Sequence, residues 1–174
     1  MRNTVLYIAM SLDGYIAREN GEIDWLEEAE GKGDNGYGEF LETIDTVIMG
    51  RKTYEQVLGF DIEFPYQDKE CYVFSNKREG MDEYASFQKG NPSDLLLQLK
   101  QKSGKDIWLI GGGDLIKHFM QEQLVDKFII AVIPVLLGKG ISLFDKGFPE
   151  QKLSLSKSER FNEIVLLTYE LKKL

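Results

Sequence analysis

"TVIMGRKTYE", residues 46–55, closes an apolar run on Gly50, places two cations behind it, and then passes to helix-forming side chains. A short apolar run ended by glycine reads as a strand buried on both faces. A strand that turns directly into a helix is the βα unit of a parallel sheet. The first N–H groups of a helix carry partial positive charge and attract anions. Cations are mildly unfavourable at that position, so Arg51 and Lys52 ask for a counter-charge. Phosphate answers this: arginine offers a planar fork, lysine a point charge, and Thr53 a hydroxyl donor. The plainer alternative is a pair of solvated charges after a strand.

A second strand end has matching chemistry. "IWLIGGGDL" (107–115) sets Gly111, Gly112 and Gly113 between an apolar run and a helical stretch. Residues without side chains let a ligand approach the backbone closely. The spacing is neither that of a dinucleotide fingerprint nor that of a Walker loop. Asp114 reads as the cap of the following helix. A third end, "VFSNKR" (73–78), offers Ser75 and Asn76 as small polar donors, with Lys77 and Arg78 beyond. If this strand lies beside residues 46–50, the groups can share one phosphate with Arg51. A cluster of that size exceeds what a pyrophosphate needs and suits a ribose 2′-phosphate.

Outward from these ends the elements alternate. Strands are expected at 4–10, 45–50, 70–76 and 84–88, over "DIWLIGGG", and along 125–140 until Pro134 interrupts. Helices are expected over 36–44, 51–59, from a cap at Asn91 or Ser93 to Gly104, and over "DLIKHFMQEQL". The tail alternates in "LSLSKSERF" and "VLLTYELK", the pattern of an antiparallel pair. This order predicts a three-layer α/β fold, a mostly parallel central sheet with helices on both faces and antiparallel C-terminal strands. With no repeats and no linker-like stretch, one domain is expected over residues 1–174.

The totals restrict the function. A net charge of −8 over 174 residues argues against nucleic acid and against an anionic membrane as partners. No apolar run approaches the roughly 20 residues of a membrane helix. One cysteine, Cys71, and one histidine, His118, leave no disulfide and no Cys/His metal centre, so no metal is expected. Both read as structural, and a cytoplasmic setting is the expectation.

The segments "VIMGRKTYE" and "IWLIGGGDLIKHFM" resemble the two cofactor-binding segments of dihydrofolate reductases. "AMSLDGYIA" (9–17), "VDKFIIAVIPVLLGKGISLF" (125–144) and "RFNEIVLLTYEL" resemble the reductase domain of the bifunctional riboflavin-biosynthesis deaminase/reductase. The resemblance spans nearly the whole chain. It implies a dihydrofolate reductase-like fold and an NADPH-dependent reductase that passes a hydride to a small pterin-, pyrimidine- or imine/carbonyl-type substrate. By that likeness Ala9 and Ile16 flank the nicotinamide. Gly50, Arg51, Lys52 and Thr53 hold the 2′-phosphate and pyrophosphate. Ser75 and Asn76 support the adenosine end, and Gly111, Gly112, Gly113, Asp114 and Leu115 wrap the pyrophosphate and nicotinamide ribose. "SLDGYIA" would be a mobile loop over the site, and a homodimer is implied.

Reducing an imine or carbonyl also takes a proton, so a carboxylate is sought. The family spacing counted back from Gly50 lands on Asp34, the candidate catalytic acid. Asp24 and Glu30 in the same loop are alternatives, with Tyr37 as a further donor and Trp25 as a pocket wall. The other reading is a non-catalytic module that binds NADP(H), a flavin or a pterin on the same fold.

Overall fold

The computed structural model describes residues 1–172. Eleven strands and four α-helices alternate along them. They are β1 (Thr4–Ser11), β2 (Tyr15–Ala17), α1 (Tyr37–Glu42), β3 (Ile44–Gly50), α2 (Arg51–Leu58), β4 (Glu70–Phe74), β5 (Gly80–Met81) and β6 (Ser86–Gln88), then α3 (Pro92–Gln101), β7 (Asp106–Gly111), α4 (Gly113–Gln121), β8 (Lys127–Ile133), β9 (Ile141–Ser142), β10 (Leu153–Phe161) and β11 (Ile164–Leu171). Nine strands form one sheet in the order β10-β11-β8-β1-β7-β3-β4-β6-β5, and β2 pairs with β9 apart from it. From β8 to β6 every neighbouring pair is parallel. The β10–β11 hairpin adds antiparallel strands at one edge, and β5 does so at the other.

Alternation along the strands builds the layers. Val47 and Met49 of β3 and Trp108 of β7 face one side, with Phe40 of α1 and Tyr54 and Val57 of α2. Ile48, Ile107 and Leu109 face the other, with Leu96 and Leu99 of α3 and Phe119 of α4. Leu6, Val47, Ile48, Met49, Ile107 and Leu109 are fully enclosed. Each such side chain contributes roughly 1.5–3 kcal/mol of burial free energy, so the central strands anchor the sheet. The expected three-layer arrangement and antiparallel tail are both present.

Differences from the sequence reading are local. Strand β8 ends at Ile133 because Pro134 cannot donate to the ladder. Helix α4 begins at Gly113 with Gly112 in the cap position and no side-chain cap, so Asp114 lies inside the first turn instead of capping it. At α3 the cap is Asn91, whose side chain accepts from Ser93 N–H at 3.0 Å. No helix of the described residues is long and apolar enough to cross a membrane.

The "SLDG" turn after β1 is pinned. Asp13 accepts from the Ser11 hydroxyl at 2.7 Å and from the N–H groups of Leu137 and Gly138 at 3.1 and 2.7 Å. The Ser11 hydrogen bond leads in holding its carboxyl below the ordinary range. Gly140 completes the junction: a Cβ there would stand 2.3 Å from the Ala17 carbonyl oxygen, and its φ is +151°. The segment expected to be a mobile loop is thus tied to residues 135–143 by side-chain bonds and by the β2–β9 pair.

Candidate functional site

Parallel pairing brings the singled-out strand ends level. Gly50 lies opposite Phe74, Met49 opposite Gly111, and Phe74 opposite Gln88. Beyond them opens a cleft of about 480 Å³ at the carboxyl ends of the strands, where open α/β sheets carry ligands. Arg51, Lys52 and Thr53 of α2 line one side, and Gly112, Gly113, Asp114 and Leu115 of α4 the other. Ser75, Asn76 and Lys77 close the end beyond β4. The two helix N-termini therefore face one space.

The two motifs touch through backbone. A Cβ on Gly50 would lie 3.6 Å from Gly112 N and 3.9 Å from Gly111 O. A Cβ on Gly112 would stand 3.2 Å from Thr53 Oγ1, and one on Gly113 would stand 3.1 Å from Ile141 Cγ2. A side chain on Gly112 would crowd Thr53 on the opposite wall, and one on Gly113 would crowd β9. Gly111, whose peptide with Gly112 is cis, ends β7 behind the cleft surface.

Cation placement is more selective than the sequence suggests. The Arg51 guanidinium donates to Glu55 Oε1 at 2.5 Å, one turn along its own helix. Arg78 turns away, pairing with Asp82 at 3.3 Å and stacking 3.8 Å over the Phe87 ring. Lys52 and Lys77 line the cleft and, among the described residues, enter no ion pair. The Ser75 hydroxyl accepts the N–H groups of Lys77 and Arg78, both at 3.2 Å, and so shapes the turn that carries Lys77. His118, read from the sequence as structural, also reaches the cleft wall, where its Nε2 lies 3.1 Å from Ser93 Oγ.

A second cavity of about 230 Å³ lies on the α1 face of β1, β8 and β11. Ala9 lines it, together with Tyr7, Asp34, Asn35 and Tyr37 on a mostly apolar wall. Strand β1 pairs with β7 as far as Leu6 opposite Leu109, and beyond that Ala9 pairs with Ala131 of β8. Asp34 holds the start of α1: its carboxylate accepts Gly36 N–H at 3.0 Å and Gly38 N–H at 2.8 Å. Tyr7 stacks on Phe40 with ring centroids 4.2 Å apart and meets Trp108 edge-on. Burial first, then Tyr37, Asp34 and Glu159, push the Tyr7 phenol up to about 12. Burial likewise raises Tyr37.

The remaining candidates fall elsewhere. Asp24 is clamped by Arg18 through two bonds of 2.6 and 2.9 Å. Glu30 is exposed and lines neither cavity. Of the three loop carboxylates, Asp34 alone borders a cavity. Trp25 is 2% exposed and packs on Ile133 and Ile164, which line the second cavity from behind. Ile16 packs into the core on the α4 side and lines neither cavity. Cys71 is a buried thiol pushed up to about 12 by desolvation, which removes it as a nucleophile. No cluster among the described residues could hold a metal ion. Tyr7 and Asn35 were not singled out from the sequence. Tyr7 sits in an apolar strand run, where a polar wall group and a core aromatic look alike.

Comparisons with known proteins agree with this fold. The sequence model of the RibD C-terminal domain matches residues 2–167. The uncharacterized Bacillus subtilis (strain 168) protein YwjB is 51% identical over 169 residues, covering 97% of each chain. YyaP of the same organism is 39% identical over 155 residues, covering 82% of this chain and 80% of its own. A crystal structure from Shewanella sp. PV-4, provisionally named a riboflavin biosynthesis protein, superposes with a TM-score of 0.88. It is 33% identical and is covered over 99% of its length, against 98% of this chain. Acinetobacter baumannii RibD shares the fold at a TM-score of 0.74 and 20% identity. The match takes in 99% of this chain and 59% of that one.

Proposed function

The chain belongs to the RibD C-terminal domain family, and from that premise we propose that it is an NADPH-dependent reductase acting on a small pterin-, pyrimidine- or imine/carbonyl-type acceptor. The observation that carries this reading is the meeting of Gly50–Thr53 and Gly112–Leu115 across one cleft. The residues present fit such a cofactor. Two helix N-termini, the Thr53 hydroxyl and the ammonium groups of Lys52 and Lys77, which enter no ion pair among the described residues, suit phosphates. The side-chain-free turn at Gly112 and Gly113 lets the start of α4 close on Thr53 and Ile141, which sets its N-terminus at the cleft. Asp114 and Glu55 moderate the positive potential without reversing it.

In this reading Lys52 and Lys77 hold the 2′-phosphate, joined by Arg51 once it leaves Glu55. Thr53 and the α4 N-terminus hold the pyrophosphate, and Ser75 and Asn76 fix the adenosine end. NADPH supplies the reducing equivalents when bound. The chain's own residues orient the acceptor, exclude water and deliver a proton. In this reading Asp34 delivers it from the wall of the second cavity, which Tyr37 also lines.

The test is a fluorescence titration of the protein with NADPH and with NADH, followed by steady-state oxidation of NADPH against a panel of pterins, aminopyrimidines, imines and carbonyl compounds. Preference for NADPH and turnover with one member are expected. Tight NADPH binding without turnover across the panel would favour a non-catalytic binding module. Absence of NADPH binding would remove the proposal.

A further inference from the structure

Three phenols converge on Trp108 beside the second cavity. The rings of Tyr7, Tyr37 and Tyr66 all meet the indole edge-on, with centroids 6.0, 6.0 and 5.5 Å from it. Tyr7 and Tyr37 lie 6.1 Å apart and both line the cavity. Tyr66 is 6% exposed and does not line it. Burial raises both Tyr37 and Tyr66, but within the pair Tyr66 lowers Tyr37 and Tyr37 raises Tyr66, which makes Tyr66 the hydrogen-bond donor. The Tyr37 oxygen is thus supplied from the core, and its own proton is left for a ligand.

Other acceptors on the wall are engaged. Trp108 Nε1 donates to the Tyr7 carbonyl at 3.0 Å, and Lys32 N–H donates to Asn35 Oδ1 at 2.8 Å, which leaves the Asn35 amide N–H groups as donors. Each Asp34 oxygen already accepts one backbone N–H. A ring bearing a carbonyl oxygen suits such a wall better than one bearing amino groups. We propose that Tyr37, backed by Tyr66, is a catalytic residue that donates a hydrogen bond to the acceptor's carbonyl oxygen, and that the acceptor is a small aryl or cyclic ketone reduced at that carbonyl. The reduction rests on the reductase reading; the binding does not. A hydride from NADPH adds to the carbonyl carbon while the C=O π pair moves onto oxygen. Asp34 delivers the proton that completes the alcohol and regains one from solvent. Tyr37 keeps its own proton and stabilises the charge growing on oxygen, as an oxyanion-hole donor does. Tyr66 touches no ligand and is a positioning residue.

The test uses cofactor-free protein and two probes of one shape: carbonyl-labelled acetophenone, and α-methylstyrene, in which a methylene replaces the oxygen. The infrared carbonyl band of bound acetophenone should lie at lower frequency than in hexane. Tyr37→Phe keeps a ring against Trp108. It should return the band toward its hexane position and weaken acetophenone about fivefold, the scale of one net hydrogen bond, with α-methylstyrene affinity unchanged in calorimetry. Tyr66→Phe should return the band part of the way, which altered packing alone would not do. In turnover of carbonyl compounds Tyr37→Phe should lower kcat about 10²–10³-fold with KM little changed. Should Tyr37→Phe fold poorly, the band in the unmodified protein and in Tyr66→Phe still decides.

An unshifted band, a band that ignores both substitutions, or no acetophenone binding at all would overturn the proposal. So would turnover confined to imines. A parallel NADPH titration keeps the two readings apart. A band that depends on Tyr37 without NADPH binding would remove the reductase and leave the phenol site, and NADPH binding with an unshifted band would remove this inference alone.

Discussion

Thr53 and Gly112 belong to different helices, yet the Thr53 hydroxyl stands only 3.2 Å from where a Gly112 side chain would begin. The basic and the glycine-rich motifs thus form opposite sides of a single joint. Gly112 has φ −75° and ψ −172°, values open to any residue, and a side chain added there meets the Thr53 hydroxyl. Gly112→Val should fold with an unchanged circular dichroism spectrum and lose NADPH affinity by roughly 1.4 kcal/mol or more, about tenfold. Unaltered binding in a folded variant would reject the glycine joint as a cofactor wall.

Arg51 and Glu55 make a second prediction. Their exposed i,i+4 pair is worth about 0.3–0.5 kcal/mol, so a phosphate can outcompete Glu55. Arg51→Ala should weaken NADPH by about 1–3 kcal/mol and NADH much less. Glu55→Gln should leave NADPH affinity equal or slightly improved. Equal losses for both nucleotides in Arg51→Ala, read by fluorescence titration, would remove the 2′-phosphate from this residue.

Asp34 has two separable tasks, opening α1 and delivering a proton. Asp34→Ala gives up the bonds to Gly36 and Gly38 and should cost about 1 kcal/mol of stability in urea melts. Asp34→Asn keeps an acceptor oxygen and should cost less. Its turnover should nevertheless fall about 10²–10⁴-fold, the range of general acid catalysis. Stability and kcat changing in parallel across both variants would assign Asp34 a structural role only.

Alkaline pH gives a prediction with a fixed sign. Tyr7 rises from 10.0 to about 12 and Cys71 from 9.0 to about 12, both mainly through burial, and Tyr54 and Tyr66 also rise. These groups ionise in the unfolded chain before they do in the folded one. The stability they contribute is therefore full below pH 9 and is lost progressively as pH rises toward 12. Urea midpoints should fall across that window.

The sheet was legible because its strands write their burial directly. "VIMG" and "WLIG" are apolar on both faces, and only a strand covered by helices on each side tolerates that. The cleft was legible for a related reason, since glycine and cation clusters at strand ends have few structural uses. The cavity wall was not, because Tyr7 is as apolar by sequence as the core aromatics around it. Nor could the sequence show that Arg78 stacks on Phe87 while Lys77, one residue earlier, lines the cleft. That choice belongs to the turn that Ser75 shapes through bonds to both their N–H groups. The β2 and β9 strands, three and two residues long, carry too few positions for any period to register.

Among the described residues, the cleft and the second cavity have no wall residue in common, although both belong to one sheet: the cleft draws on β3, β4 and β6, the second cavity on β1, β8 and β11. Changes that reshape one chamber can therefore accumulate without loosening the other. A lineage could retune what it reduces, by exchanges around the mouth of β1 and the start of α1, while its grip on the nucleotide is inherited intact. The same partition invites laboratory grafting: residues 34–37 are the place to begin, and the glycine turn is the place to leave alone.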